Sequence, residues 1–450
     1  MLMNVISASQ RLSKSATSTT LFRHDALINN VYRYQSFNFC SSTNNNTNNN
    51  NNNNNNDHVK LKVPRVKYTN LLKYYHNYNK LVYSWGSGSN GKLGLRNDVT
   101  QLIKPTLIED LLYDNITNIS CCTTCSLFAT DKSRLYGCGN NAYGQLIIGN
   151  GKIPLLETIQ PIDEEFHKTI ADSGKRLVQL TSGTYHNGAV YDDGTAYLWG
   201  SGNSGQVGAA KYARLQFQPL LNTKLSNLGT KQLALGSTFS LALTNDGDIY
   251  SFGSAMFNEL GHDSEFTERV PKKIVTNYKF TAISAGYFHG IALTTGNKVV
   301  VWGRNQEGQC KPVESGMEKG CFSGLFELDL SGVNGKVIHI RSGSFSNYIL
   351  TDSGNMYSIG SNSHGQLGVG DDFKFGELNH IKSIENIQMF WTGHQYVIAK
   401  DSQGRYYGWG SNYDFQLANE KRCVYNMPIL LDNLSSIGNI EEIAASVTHY

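Results

Sequence analysis

The sequence predicts an all-β fold, a seven-bladed β-propeller of four-stranded blades in which N- and C-terminal strands share one blade. Three observations predict it: a glycine-anchored motif recurring seven times, tight-turn signals between alternating segments, and chain ends that each carry part of one unit. The motif reads YSWGSGSNGKLG from Tyr83, YGCGNNAYGQL from Tyr136, YLWGSGNSGQVG from Tyr197, YSFGSAMFNELG from Tyr250, VWGRNQEGQC from Val301, YSIGSNSHGQLG from Tyr357 and YGWGSNYDFQLA from Tyr407. Its anchors Gly86, Gly139, Gly200, Gly253, Gly303, Gly360 and Gly410 lie 53, 61, 53, 50, 57 and 50 residues apart, a period that marks propellers and other repeat arrays.

Between anchors a second pattern recurs: an alternating strand, a small residue, a second strand, a tight turn, and the strand that ends in the next anchor. One copy runs FTAISAG from Phe280, FHGIALT from Phe288, the turn Thr295-Gly296-Asn297, then KVVVWG from Lys298. Other copies turn at Asp193-Gly194, Asp246-Gly247, Ser353-Gly354 and Gln403-Gly404, where glycine accepts the positive φ of a hairpin. A further apolar segment follows each anchor, often near a proline such as Pro105, Pro219, Pro271 or Pro428. Four short strands per unit follow, and radial packing lets each twisted sheet cover both faces against its neighbours. An open solenoid would show polar capping repeats.

The chain ends bear on closure. The third and fourth strands of one unit precede six full sets, and NIEEIAAS from Asn439 supplies a last first strand, giving 27 strands in all. The missing second strand is expected at Tyr74 to Asn79, with the C-terminal strand pairing against residues near 73 to 86. The propeller is thus assigned to residues 73–450, an asparagine-rich disordered linker to 44–60, and a mitochondrial transit peptide to 1–43.

Composition agrees with a turn-rich β protein: 17% charged residues, 44 glycines and a mean hydropathy of −0.35. No apolar run of membrane-spanning length occurs. The net charge of +3 resides in the first 56 residues, where Arg11, Lys14, Arg23 and Arg33 face a single acid, Asp25. The remainder is neutral, so net charge lends no support to nucleic-acid binding by the folded part. The leader is rich in Ser, Thr and Arg, and Leu2, Val5, Ile6 and Leu12 can gather on one helical face opposite Arg11 and Lys14. Such a segment reads as a transit peptide, cleaved between Arg33 and Ser42, the other reading being a polar tail with no address.

Eight cysteines at irregular spacing read as a reducing compartment. Cys122 and Cys125 form a single C-x-x-C without the second pair or histidines that a zinc site requires, and read as small apolar strand-end residues. Gly86, Gly88 and Gly91, and again Gly200, Gly202 and Gly205, spell G-x-G-x-x-G. Here the string joins strand to strand, whereas a dinucleotide site needs strand to helix. His186, His289 and His394, with His449 beside them, are read as repeat-equivalent core histidines on different blades. No catalytic residue, metal site or cofactor is expected.

The quoted strings, with WG-S-x-x-x-G-Q-L-G after one strand and G-x-x-H-x-x-A-L-T before the next, resemble the repeats of the regulator of chromosome condensation family over about residues 80 to 450. The resemblance implies the propeller. For function it spans chromatin-bound exchange factors for a Ran-type GTPase, plant ultraviolet photoreceptors, ubiquitin-ligase modules and mitochondrial proteins. Photoreceptor members carry Gly-Trp-Arg-His-Thr strings; here GTYHN from Gly183, GYFHG from Gly286 and GSFSN from Gly343 stand in their place, which disfavours that activity. Of Trp85, Trp199, Trp302, Trp391 and Trp409, four sit at or near anchors or strand ends and read as blade-to-blade packing. The copies from Gly303 and Gly408 look most similar to mitochondrial members. That likeness implies a matrix or inner-membrane-associated protein, not integral to the membrane, which regulates a small or dynamin-like GTPase as a guanine-nucleotide exchange factor. Its alternatives are a scaffold for mitochondrial ribosomal RNA and ribosome assembly, and a nuclear or cytosolic Ran-type exchange factor.

Partners are expected where spacing departs from the period. The first insertion, 147–176, offers Glu157, Asp163, Glu164, Glu165 and Asp172 between and beyond Pro154 and Pro161; the second, 311–336, offers Glu314, Glu318 and Lys319.

Overall fold

A computed structural model describes residues 3–8, 80–95, 99–162, 164–212, 214–264, 266–311 and 320–445. All extended sheets are four-stranded and antiparallel. Six of them, blades A (116–161), B (177–221), C (230–273), D (280–327), E (337–380) and F (387–430), are each one unbroken run of chain. In each blade the second strand is almost wholly buried, as in His186–Tyr191, Phe239–Thr244 and Ser346–Thr351. Both sheet faces are covered there, so these strands read as continuous small and apolar runs. Outer strands such as Leu215–Leu221 are half exposed.

The expected seven-bladed ring is corrected here: six blades of four strands, not seven, form from continuous chain. A composite sheet completes the ring, in the order Ile440–Ala445, Met3–Ala8, Leu81–Ser87, Gln101–Leu107. Among the described residues the C-terminal strand does not pair directly with Leu81–Ser87. Met3–Ala8 runs between, placing Met3 opposite Gly86 and Ala8 opposite Leu81 on one side, and Asn4 opposite Ala445 on the other. The physical reason is that two sheet edges one strand apart must both have their backbone groups satisfied, and Met3–Ala8 pairs with each of them. Its Val5 and Ile6 were expected on a helical face. Tyr74 to Asn79, the asparagine tract and the leader beyond residue 8 lie outside the described residues.

The first strands of blades A to F and Ile440–Ala445 line a central channel. Hydrophobic clusters lie between neighbouring sheets: Trp199 packs with Leu127 and Leu146 of blade A, and Trp85 with Ile398 and Leu417 of blade F. Every anchor glycine has positive φ, from 96° to 117°. At Gly200 a Cβ would fall 2.6 Å from the Tyr185 carbonyl oxygen, so only glycine lets the third strand approach the preceding loop. Among the described residues no helix is long and apolar enough to cross a membrane.

Candidate partner-binding site

The glycine-glutamine turns tie one sheet to the next. Trp199 Nε1 donates to the Gln145 carbonyl at 2.8 Å, Trp302 Nε1 to that of Glu259 at 2.9 Å, Trp409 Nε1 to that of Gln366 at 2.8 Å and Trp85 Nε1 to that of Gln416 at 3.1 Å. The turn carbonyls are thereby spent on architecture, and the G-x-G-x-x-G strings link strand to strand, as in Ala196–Ser201 to Leu215–Leu221. At the position of these glutamines the first motif carries Lys92, which burial brings down to about 8 against the raising pull of Asp414.

Loops between first and second strands crowd one mouth of the channel. Tyr287 stacks edge-on to Phe288 at 4.8 Å and lies 5.6 Å from Phe345 and 6.4 Å from His394. Arg304 covers the Phe345 ring at 4.7 Å. Backbone bonds knit these loops: Ser237 N–H to the Tyr287 carbonyl at 3.0 Å, and Tyr287 N–H to that of Ser344 at 2.9 Å.

The histidines divide. His186 Nε2 meets Ser240 Oγ at 2.8 Å and His289 Nε2 meets Asn347 Oδ1 at 3.0 Å, each facing an anchor glycine across the sheet. His394 is not their equivalent. Tyr396 takes that register opposite Gly410, and His394 lies at the mouth against the Ser344 hydroxyl. His449 lies outside the described residues. No cluster of three metal-ligating side chains occurs among the described residues.

Blade A departs from its fellows at the same loop. Cys122 and Cys125 occupy the positions of Gly183 and His186 and form a disulfide, with Cα atoms 5.1 Å apart. Elsewhere the second side chain packs over the glycine, as Tyr396 does over Gly393; here a covalent bridge fills that space. The expectation of free apolar strand-end cysteines is corrected accordingly.

The first insertion is an outer strand, Leu155–Pro161, followed by helix α1, Glu164–Ser173. Phe166 and Ile170, one turn apart, pack inward, with the Phe166 ring 5.0 Å from Tyr197. Glu164, Glu165 and Asp172 are exposed. Two acids in the first turn suit the positive end of the helix dipole. Arg134 approaches Glu164 at 3.8 Å across solvent. Glu157 sits exposed on the outer strand and lines, with Glu164, a groove of about 840 Å³ bounded by Ile148, Pro154, Pro161 and Gln218 of blade B. The groove therefore unites Glu157 and Glu164, while Glu165 and Asp172 are carried on α1 beyond it. Asp163, Glu314, Glu318 and Lys319 lie outside the described residues.

The channel holds groups that sequence reasoning missed: His339, Arg341 and Glu442. Burial presses the Arg341 guanidinium below its usual range against the pull of Glu442, and burial raises Glu442, with Arg341 and Lys80 opposing. His339 is lowered by burial and by Arg341. A usable signal was the run VIHIRS from Val337, whose polar residues alternate within a first strand.

A closed ring with a loop-crowded mouth, a polar channel and a rim groove defines a β-propeller. The RCC1-like domain model matches residues 81–450, and the chain belongs to that family. It is similar to an RCC1 repeat-containing protein of Dictyostelium discoideum, 42% identical over 413 residues, covering 83% of this chain and 85% of the other. It is also similar to the mitochondrial RCC1 domain-containing protein RUG3 of Arabidopsis thaliana, 26% identical over 321 residues, 67% of this chain and 71% of that one. Among solved structures, Prp20p from Saccharomyces cerevisiae, described with its binding properties to Gsp1p and histones, shares the fold with a TM-score of 0.71 at 21% identity, covering 84% of this chain and 95% of that chain.

Proposed function

We propose that this chain is a non-catalytic interaction protein of mitochondria that binds a GTPase and acts on it as a guanine-nucleotide exchange factor. The observation that carries the reading is helix α1, which presents Glu164 and Glu165 on its exposed first turn beside the groove containing Glu157. Packing of Phe166 and Ile170 makes the helix a firm projection. In the proposed mechanism these acids, with Asp163 and Asp172, compete for the phosphate-binding lysine and Mg²⁺ contacts of the GTPase. Nucleotide affinity then falls while the GTPase stays bound. Glu314, Glu318 and Lys319 are assigned to the same partner. Family membership supports the reading, as does the binding to Gsp1p named for Prp20p. The basic leader and the mitochondrial relative support the location.

The test is affinity purification of the full chain from mitochondria, followed by release of a fluorescent GDP from the recovered GTPase. Combined Glu157→Ala, Glu164→Ala and Glu165→Ala should slow release at least tenfold while the GTPase still co-purifies. Unchanged release, or recovery of ribosomal RNA without a GTPase, would overturn the reading. The mouth-face loops mix Arg304, Lys211 and Arg422 with Glu307, Asp414 and Glu420, and so do not present the uniformly basic face that an RNA scaffold would favour.

A further inference from the structure

We propose that the central channel is a binding site for a small oxyanion, the phosphate or carboxylate group of a compact metabolite, held by Arg341. The channel cavity has a volume of about 430 Å³, a size that suits a small ligand rather than a chain segment. Its charged lining among the described residues consists of Arg341 and Glu442, with His339 and the buried thiol of Cys121 as the other titratable groups.

Register separates these groups into levels. Arg341 is the fifth residue of its strand, Val337–Ser342, a position matched by Ser120 in Ile116–Cys121, Thr181 in Leu177–Ser182 and Ser284 in Phe280–Ala285. Glu442 and His339 occupy the third position, alongside Gln179 and Gln232. The glutamines are consumed by the ring itself. Gln179 bonds both the carbonyl and the N–H of Leu233, at 2.9 and 2.8 Å, and Gln232 does the same to Ile283, at 2.9 and 3.1 Å.

The level of Arg341 is different. Its guanidinium makes no hydrogen bond or ion pair among the described residues, Glu442 acting on it only at longer range. The Thr181 hydroxyl also has no partner among the described residues, and the Ser284 oxygen accepts the Ser342 N–H at 3.0 Å, leaving its own proton to donate. A planar fork of donors with hydroxyl donors at the same height is the recognition set of an oxyanion. The loops of Tyr287, Phe345 and His394 follow directly on this level in the chain, so the ligand sits next to an aromatic rim. Holding an unpaired cation in a half-buried channel opposes folding, a cost that a structural arginine would have offset with a partner.

The experiment is calorimetric titration of the full chain with inorganic phosphate and, in parallel, with succinate. Saturable binding of one and not the other identifies which group the site takes. Arg341→Gln should weaken that binding at least tenfold and leave the unliganded protein no less stable, while Arg341→Lys retains binding at intermediate strength. Thr181→Val, at the same level, should weaken it several-fold. Failure of both anions to bind, wild-type affinity in Arg341→Gln, or a lowered melting temperature of unliganded Arg341→Gln would overturn the proposal.

Discussion

Glu259 stands where five other motifs place Gln145, Gln206, Gln309, Gln366 and Gln416. In each, a side-chain oxygen accepts the N–H two residues earlier: 2.8 Å for Gln145, 2.9 Å for Gln206 and 2.6 Å for Glu259. Its other carboxylate oxygen makes no hydrogen bond within normal geometry among the described residues, and burial of the side chain raises its pKa, with backbone donors and the nearby Ser254 opposing. A carboxyl with a raised folded pKa stabilises the fold below its unfolded pKa and loses that contribution as pH climbs through the folded value. Glu259→Gln should therefore stabilise the protein at neutral pH by about 1 kcal/mol, the net worth of a buried hydrogen bond, with little gain below pH 4.5. Urea midpoints of both proteins across this range decide it; equal stability at pH 7 would refute the argument. The histidines carry the opposite sign. Burial lowers His186 to about 3 and His289 to about 4, below the ordinary 6.5. Their contribution is complete above pH 6.5 and is lost as pH falls from there, with a limiting slope of about 1.4 kcal/mol per pH unit for each histidine. His186→Asn with His289→Asn should lower the midpoint at pH 7 but flatten its fall between pH 6.5 and 4.5.

Helix α1 shows how an element can be firm at its root and free at its tip. Phe166 and Ile170 anchor it against the Tyr197 side of blade B, and its acids face solvent. Phe166→Ala should cost about 3 to 5 kcal/mol, felt first as faster amide exchange across Glu164–Ser173, with the buried strand His186–Tyr191 retaining its protection. Equal acceleration in both would mean that the helix is no separate unit. The insertion was legible as a break in period and as a cluster of acids, because both are properties of the string. That its residues would split into an edge strand and a helix was not, since Leu155–Pro161 acquires its identity by pairing with Leu135–Asn140. Arg341 was half legible for a similar reason: VIHIRS alternates, but a bulge between Val337 and His339 resets which residues face the channel. His394 shows the reverse error, a shared residue type mistaken for a shared register.

At the scale of the whole molecule, anchors and turns announced the propeller because glycine at positive φ and turn dipeptides are local requirements. Closure is not local. MNVISA pairs as a strand only because Leu81–Ser87 and Ile440–Ala445 leave a slot between them, and the string alone fits a helical face equally well. The consequence bears on the leader: processing between Arg33 and Ser42 would remove the strand that links the two ends of the ring. Interfaces on both sides depend on it, Trp85 and Ile443 packing toward blade F and Val82 and Ala444 toward blade A. In a closed ring each sheet supports its neighbours, so opening one joint exposes two edges at once. Deleting residues 1–10 should lower the melting temperature by about 10 °C or more, since several ladder hydrogen bonds, each worth about 0.5 to 1.5 kcal/mol, disappear together. Amide exchange should quicken first in Leu81–Ser87 and Ile440–Ala445, with blade C, across the ring, affected last. A peptide of residues 1–10 supplied in trans should restore both signals. If the deletion melts with the intact chain, or the N-terminus of the cellular protein lies beyond Arg33 at undiminished stability, another segment closes the ring and the leader is free to be an address.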